Sequence, residues 1–135
     1  NKVSGPLLDR IDLHIEVSPV PYEKLADKAP GEPSALIRKR VVEARMKQLE
    51  RYQDYQGIHS NAQLTPKLQE KYCKIDQTAE NLLKQAMTRL GLSARSYGRI
   101  FKVARTIADL ESEANIGARH IAEAIQYRSL DRSGW

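Results

Sequence analysis

Length, composition and charge place the chain among single-domain globular proteins. Its 135 residues are enough for one hydrophobic core, and 41% hydrophobic and 29% charged residues are ordinary values for a soluble protein. No apolar run approaches the roughly 20 residues that a membrane-spanning helix needs. A single cysteine excludes an internal disulfide and a cysteine-based zinc site, which favours a reducing cytoplasm.

The net charge of +5 is unevenly distributed along the chain. Residues 1–32 carry a charge of −2, whereas residues 33–135 carry +7. We therefore expect two differently built pieces that join near residue 32. A basic surface of this size suits phosphate-bearing partners, either nucleotides or nucleic acid, and charge alone does not distinguish between them.

A β-strand is predicted at residues 13–17, where apolar and polar side chains alternate before Pro19. No other segment has a convincing strand pattern, and one strand cannot form a stable sheet by itself. We therefore expect its partner strands to lie upstream in a longer protein and take Asn1 to be an internal boundary. Residues 1–20 should then be poorly ordered or pair with another copy, and the proline-rich residues 21–33 should form a linker.

The chain after this linker is predicted to be a helical domain, residues 34–135. Its first helix should begin at Pro33 and Ser34 and run to about Gln56. Its apolar stripe should contain Ile37, Val41 and Ala44, with Leu49 and Tyr52 continuing the apolar surface. The remaining helices are delimited by capping residues and by apolar residues at helical spacing. They are predicted at residues 65–73, 76–90, 93–111 and 117–128.

Basic side chains are predicted to share one face of the helix that begins at Ser93. Arg95, Arg99 and Lys102 fall within about 60° of one another on a helical wheel. The predicted apolar stripe of this helix, Ile100, Ala104 and Ile107, lies on the opposite face. Arg95 lies in the first turn, where backbone N–H groups and the helix dipole favour an anion, so that a phosphate site is one interpretation. A solvated basic face is the alternative that the spacing leaves open.

A second arginine of interest precedes the predicted strand, in the segment GPLLDRID at residues 5–12. Arg10 stands between Asp9 and Asp12, and a surface charge pair is the simplest explanation of that pattern. An arginine supplied by a neighbouring subunit can also neutralise the charge that develops during phosphoryl transfer.

Three ordered motifs resemble the C-terminal region of magnesium-chelatase-like AAA+ ATPases. They are GPLLDRIDLHIEV at residues 5–17, SARSYGRIFKVARTIADLE at residues 93–111 and HIAEAIQYRSLDR at residues 120–132. Within that group the chain is most similar to the ComM/YifB branch of competence-associated proteins. The resemblance implies a mainly α fold: a helical lid of four to five helices, preceded by the last strand of the AAA+ core.

The resemblance also implies roles for individual residues. Arg10 would be an arginine finger acting in trans, and Arg95 the sensor-2 arginine that reaches the γ-phosphate of ATP. Arg99 would assist in binding the nucleotide, and Arg99 or Arg105 could take the place of Arg95. The sequence contains no G-x-x-x-x-G-K-[ST] loop, so Mg²⁺ and most phosphate contacts would belong to an upstream ATPase core. We therefore expect ATP with Mg²⁺ in the full-length protein and no ATP hydrolysis by this chain alone.

Three functions remain to be compared. The resemblance favours a homo-hexameric motor acting on DNA, in branch migration or as a helicase during recombination and transformation. A stand-alone nucleic-acid-binding module is the second hypothesis, with Arg38, Lys39, Arg40 and Lys102 as further candidate contacts. The motor subunit of a metal chelatase is the third. The three histidines are too scattered in the sequence for a metal site, and we predict no metal-binding residues.

Overall fold

The computed structural model describes residues 3–128, and these residues form helices joined by loops. In chain order the helices are α1 (Gly5–Arg10), α2 (Tyr22–Leu25), α3 (Ser34–Arg51), a 3₁₀ turn (Asn61–Gln63), α4 (Pro66–Tyr72), α5 (Gln77–Leu90), α6 (Ala94–Leu110) and α7 (Ala118–Gln126). Helices α3 to α7 form the bundle that the sequence predicts, whereas α1 and α2 precede it. No helix within this range is long and apolar enough to cross a membrane.

Capping side chains define where the bundle helices begin. The carboxylate of Asp76 accepts a hydrogen bond from the backbone N–H of Ala79 at 2.8 Å, and the hydroxyl of Ser93 accepts one from Ser96 at 3.2 Å. Thr65 caps α4 in the same way. Each bond satisfies one of the N–H groups that a helix start leaves without a partner, which is why the predicted starts are close to the observed ones.

Helix α6 is the centre of the bundle, since it packs against α3, α4, α7 and α1. Its predicted inner stripe is confirmed: Ile100, Ala104 and Ile107 are all buried. Ile121 and Ala124 of α7 are buried as predicted, and Ala79 and Leu83 bring α5 into the same core. Burying this apolar surface is the main source of the bundle's stability.

The predicted inner stripe of α3 is wrong for Ile37, Val41 and Leu49 and correct for Ala44 and Tyr52, which are buried. Residues 34–43 are exposed, Ile37 and Val41 among them, and only Ala44 and Gln48 of this helix are buried. The physical reason is that α3 packs on α6 through its C-terminal half, while its first turns extend away from the core. The helix also ends earlier than predicted, at Arg51 rather than near Gln56.

No strand forms anywhere in residues 3–128, so the strand predicted at residues 13–17 is absent from this chain. A lone extended segment lacks the inter-strand hydrogen bonds that define a sheet. The segment is nevertheless not detached from the bundle. Leu8 and His14 are buried, and the backbone N–H of His14 donates to the carbonyl of Tyr127 at 2.7 Å.

Two expectations for the first 33 residues therefore change. The expectation that residues 1–20 are poorly ordered or pair with another copy is wrong for residues 8–14, because polar contacts hold them to the bundle of the same chain. The linker predicted at residues 21–33 contains one short helix, α2, which buries no side chain.

Candidate functional site

The start of α6 presents Arg95 to solvent. Ser93 caps the helix, so that Arg95 falls in its first turn, and the side chain is exposed. Within residues 3–128 it makes no hydrogen bond and no ion pair. A helix N-terminus favours anions, and an arginine there has its donors free for one, because no acidic side chain in this range neutralises it.

Arg95, Arg99 and Lys102 line one shallow groove of about 230 Å³, together with residues of α4. The prediction that these three cations share a face of α6 is confirmed. Two of them already have partners: Arg99 forms an ion pair with Asp12, and the ammonium of Lys102 donates to the carbonyl of Ala62 at 3.3 Å. Among the three, only Arg95 keeps all its donors available within residues 3–128.

Arg10 lies in the last turn of α1, a helix that the sequence analysis did not predict. The hydroxyl of Ser4 accepts from the backbone N–H of Leu7 at 3.3 Å, and Pro6 suits the first turn because it lacks an N–H to satisfy. Arg10 is exposed and has no hydrogen bond or ion pair within residues 3–128. The nearby carboxylate of Asp12 pairs with Arg99 instead, so a charge pair between Arg10 and Asp12 is not formed.

A buried arginine that the sequence analysis missed connects these two sites. Arg128 is fully buried at the end of α7, and its guanidinium donates to the carbonyl of Leu8 at 3.1 Å and to that of Ile11. The same guanidinium donates to the hydroxyl of Ser96 at 3.1 Å, directly after Arg95. It therefore holds α1 against the start of α6. The signal available in the sequence was its place in the third motif, HIAEAIQYRSLDR.

Arg105, proposed above as a substitute for Arg95, is buried near the C-terminal end of α6. Its guanidinium donates to the carbonyls of Glu113 at 3.0 Å and Ala114 at 3.1 Å, and it lies 3.3 Å from the carboxylate of Asp109. These bonds hold the loop between α6 and α7. Releasing the side chain towards a ligand would break all three, so the geometry favours Arg95 over Arg105.

A polar network inside the bundle ties α3 and the 3₁₀ turn to α6. Both carboxylate oxygens of Asp109 accept from Arg51, at 2.6 and 3.0 Å, and one also accepts from the side-chain amide of Asn61 at 2.9 Å. The hydrogen bonds with Asp109 raise the pKa of Arg51 above its ordinary value. Tyr52 donates to Asn61 at 2.6 Å, and burial raises the pKa of this phenol. The network is structural and lies away from Arg10 and Arg95.

The basic cluster on α3 is only partly available. Arg38 and Lys39 are exposed, whereas Arg40 forms a two-pronged ion pair with Glu32, and that hydrogen bonding lowers the pKa of the Glu32 carboxyl. Among the described residues, no group of three or more His, Cys, Asp or Glu side chains could hold a metal ion. His14, expected on a strand surface, is buried, and its Nε2 lies 3.1 Å from the carbonyl of Leu8.

The helical fold defines the class of domain. It matches the C-terminal helical lid of magnesium-chelatase-like AAA+ proteins. The family described as "Magnesium chelatase, subunit ChlI C-terminal" matches residues 31–128, and the chain belongs to that family.

Curated relatives support the ComM/YifB branch of this family. The chain is 44% identical to competence protein ComM of Haemophilus influenzae over 133 residues, which is 98% of this chain. It is 40% identical to the uncharacterized protein YifB of Salmonella typhimurium and 39% identical to YifB of Escherichia coli, again over 98% of its length. The chain spans about a quarter of the length of each of these relatives, since 25% of each is covered.

Proposed function

We propose that the chain is the lid of an ATP-driven homo-hexameric motor that acts on DNA. The observation that carries the proposal is the contrast among its arginines. Arg51, Arg99, Arg105 and Arg128 are used in contacts within the chain, whereas Arg10 and Arg95 are exposed and have no partner within residues 3–128. Arg38, Arg45 and Arg89 are exposed in the same way, but Arg95 differs from them because it lies at a helix N-terminus and lines the groove with Arg99 and Lys102. An exposed arginine without a carboxylate, on an element fixed to a folded bundle, is suited to bind a phosphate group supplied by another part of the protein.

The residues present can bind the phosphate groups of a nucleoside triphosphate. They do not form a complete nucleotide-binding site. Arg95 adds a guanidinium to the backbone N–H groups at the start of α6, which together can bind phosphate oxygens. Bound ATP with Mg²⁺ supplies the transferable phosphoryl group. We assign to Arg95 the binding of the γ-phosphate within its own subunit, with Arg99 beside it as a second cation once its pair with Asp12 opens.

Arg10 is proposed to act on the nucleotide of the neighbouring subunit. It lies on a separate helix, α1, and its guanidinium is not needed by any contact within residues 3–128. A cation placed there by the adjacent subunit stabilises the negative charge of the transition state, and it can link hydrolysis to movement between subunits. Both roles require an upstream ATPase core as partner, and the family and the relatives support such a core.

DNA is proposed as the substrate of the motor because the name of the Haemophilus influenzae relative, a competence protein, points to transformation. Branch migration or helicase work during recombination is the corresponding task. The charge of +7 on residues 33–135 is compatible with it, although it does not identify the strand structure that is bound.

The test uses the full-length protein that carries this chain. DNA-stimulated ATP turnover is measured for Arg10→Ala and Arg95→Ala, with Lys84→Ala as the matched control, since Lys84 is an exposed cation whose only ion pair in the described range is to Glu80. We expect both arginine variants to lose turnover by about tenfold or more, and the control to retain it. Turnover near wild type in both would refute the assignment.

A stand-alone nucleic-acid-binding module is the second candidate, favoured by the exposure of Arg38 and Lys39 on α3. Strong, steeply salt-dependent binding of DNA by the isolated chain would support it, because phosphate contacts release counterions. The ion pair of Arg40 and the contact of Lys102 reduce the number of free cations on this surface. A chelatase client, the third candidate, predicts stimulation of the full-length protein by a chelatase partner and not by branched DNA.

A further inference from the structure

Arg128 is the largest fully buried side chain in the described range, and its environment is unusual for a charged group. Taking a guanidinium out of water is costly unless hydrogen bonds replace its hydration. Here the replacement comes from the carbonyls of Leu8, Ile11 and Asp12, and from the hydroxyl of Ser96. Three of these four acceptors belong to the segment around α1 and not to the bundle core.

The acceptors are close in sequence to the two exposed arginines. Leu8 and Ile11 stand on either side of Arg10, and Ser96 follows Arg95 in the first turn of α6. One guanidinium nitrogen contacts both elements, since Nη2 of Arg128 donates to Leu8 and to Ser96 at 3.1 Å each. A small displacement of this side chain therefore changes the position of Arg10 relative to Arg95.

Few other contacts hold the segment in place. From residue 4 to residue 20, only Leu8 and His14 are buried, so apolar packing contributes little to its orientation. The polar contacts described besides those of Arg128 include the His14 backbone bond to Tyr127 and the exposed ion pair between Asp12 and Arg99. An exposed ion pair contributes little, because water and salt screen the two charges. Arg128, which donates to three carbonyls of this segment, is thus a principal contact that orients α1.

We propose that Arg128 is a positioning residue that couples two nucleotide sites of the ring, by fixing the arginine finger on α1 to the sensor arginine on α6. This inference rests on the proposed function, in which Arg95 contacts the nucleotide of its own subunit and Arg10 that of the neighbour. A movement of α6 that accompanies phosphate binding at Arg95 is then transmitted through Ser96 and Arg128 to Arg10. The hydrogen bonds of Arg128 make the two arginines move as one unit.

The test compares three variants of the full-length protein: Arg128→Lys, Arg10→Ala and the double variant. Lysine keeps the charge of Arg128 but has one nitrogen instead of a planar fork, so it cannot serve acceptors on both α1 and α6 in the same geometry. We expect Arg128→Lys to lower kcat by about tenfold or more with KM for ATP within about twofold of wild type. The double variant should be no slower than Arg10→Ala alone, because both changes remove the action of the same finger.

Two further measurements separate positioning from general loss of structure. The steepness of the turnover curve against ATP concentration should decrease in Arg128→Lys, since coupling between sites is weakened, and a merely destabilised protein would not show this at a temperature where it is folded. Ser96→Ala removes only the acceptor on α6. If Arg128→Lys does not fold, this variant tests the positioning role of Arg128. It should also lower kcat without adding to the effect of Arg10→Ala. Arg119→Ala is the control, because Arg119 is an exposed cation on α7, the helix that directly precedes Arg128.

The outcomes distinguish the inference from the function on which it rests. Normal turnover in Arg10→Ala would overturn the proposed function itself. If Arg10→Ala is impaired and the folded Arg128→Lys and Ser96→Ala variants keep normal kcat, or if their losses multiply with that of Arg10→Ala, the positioning role is wrong and the finger assignment stands.

Discussion

The carboxylate of Asp109 is the centre of one cluster of charged side chains inside the bundle. Its side chain is 1% exposed and accepts hydrogen bonds from Arg51 and Asn61, with Arg105 at 3.3 Å. In a buried pair the cost of desolvation is offset only while both partners are present. The stability of the bundle is therefore sensitive to the loss of either partner, even though the pair as a whole contributes modestly.

Replacement of Asp109 is the clearest stability prediction. Asp109→Ala leaves the guanidiniums of Arg51 and Arg105 without their carboxylate, and we expect it to lower the free energy of unfolding by about 3 kcal/mol. Urea unfolding of the chain, followed by circular dichroism, measures this change. Glu113→Ala is the matched control, since its ion pair with Arg119 is exposed and should contribute less than about 1 kcal/mol. Equal effects of the two substitutions would contradict this account.

The pH dependence of stability has one identifiable contribution from Cys73. Burial raises the pKa of its thiol from 9.0 to about 11, because the thiolate is poorly solvated inside the bundle. The unfolded chain therefore releases this proton at lower pH than the folded chain does. The stability that the buried thiol contributes is fully present below pH 9 and is lost as the pH rises towards 11.

We expect unfolding free energy measured from pH 8 to pH 11 to fall more steeply in wild type than in Cys73→Ala. The difference between the two curves isolates the thiol from the other groups that titrate in this range, and it should amount to up to about 2 kcal/mol at the alkaline end. Curves that run parallel would contradict the raised pKa. A second check is thiol labelling at pH 8, which should be slow in the folded chain and fast in urea.

Among the helices, the end of α5 shows how one residue terminates an element. Gly91 has φ 58° and ψ 38°, in the left-handed region, and its backbone N–H donates to the carbonyl of Met87. A Cβ added there would meet no atom within 4 Å, so only the backbone conformation disfavours another residue. The chain can then turn at once into the cap of α6 at Ser93, which places Arg95.

Gly91→Ala should therefore destabilise the chain by about 1 kcal/mol through backbone strain alone. Gly31→Ala is the control, because it also meets no atom within 4 Å and its φ is not positive. Thermal unfolding of both variants gives the comparison. A loss of stability at Gly31 equal to that at Gly91 would show that the left-handed conformation is not the cause.

Helices α4 to α7 could be predicted from sequence because local chemistry defines them. Caps at Thr65, Asp76 and Ser93 mark their starts, and the apolar residues of α5 and α6 repeat at helical spacing. The inner face of α3 could not be predicted, because which of its turns contact α6 depends on tertiary packing. Helix α1 was missed since six residues give no periodic signal, and its cap at Ser4 is a common turn pattern as well.

Across the whole molecule, the site was only partly predictable. The face shared by Arg95, Arg99 and Lys102 follows from helical spacing and is confirmed. Arg99 pairs with Asp12, 87 residues away in sequence, and Arg128 donates to Leu8, 120 residues away. No local sequence pattern determines contacts at such separations. The roles of Arg10 and Arg95 remain predictions, because both depend on the proposed nucleotide and neighbouring subunit.

The action of Arg10 in trans can be tested by mixing subunits of the full-length protein. One variant carries Arg10→Ala and keeps its own nucleotide site. The other keeps Arg10 but has the phosphate-binding lysine of the upstream ATPase core replaced, so that it cannot bind ATP productively. Each variant alone should be nearly inactive. In mixed rings an intact nucleotide site lies beside an intact Arg10, and we expect ATP turnover to reappear.

The dependence of turnover on the mixing ratio provides the control. Restored turnover should pass through a maximum at intermediate ratios, because it requires contact between two different subunits and is absent from either pure ring. Mixtures of Arg10→Ala with Arg95→Ala should also recover turnover, because the nucleotide site of an Arg10→Ala subunit then has its own Arg95 and the Arg10 of its neighbour. If Arg10 acted within its own subunit, no ratio would restore turnover, and the coupling of neighbouring sites through α1 and α6 would have no basis.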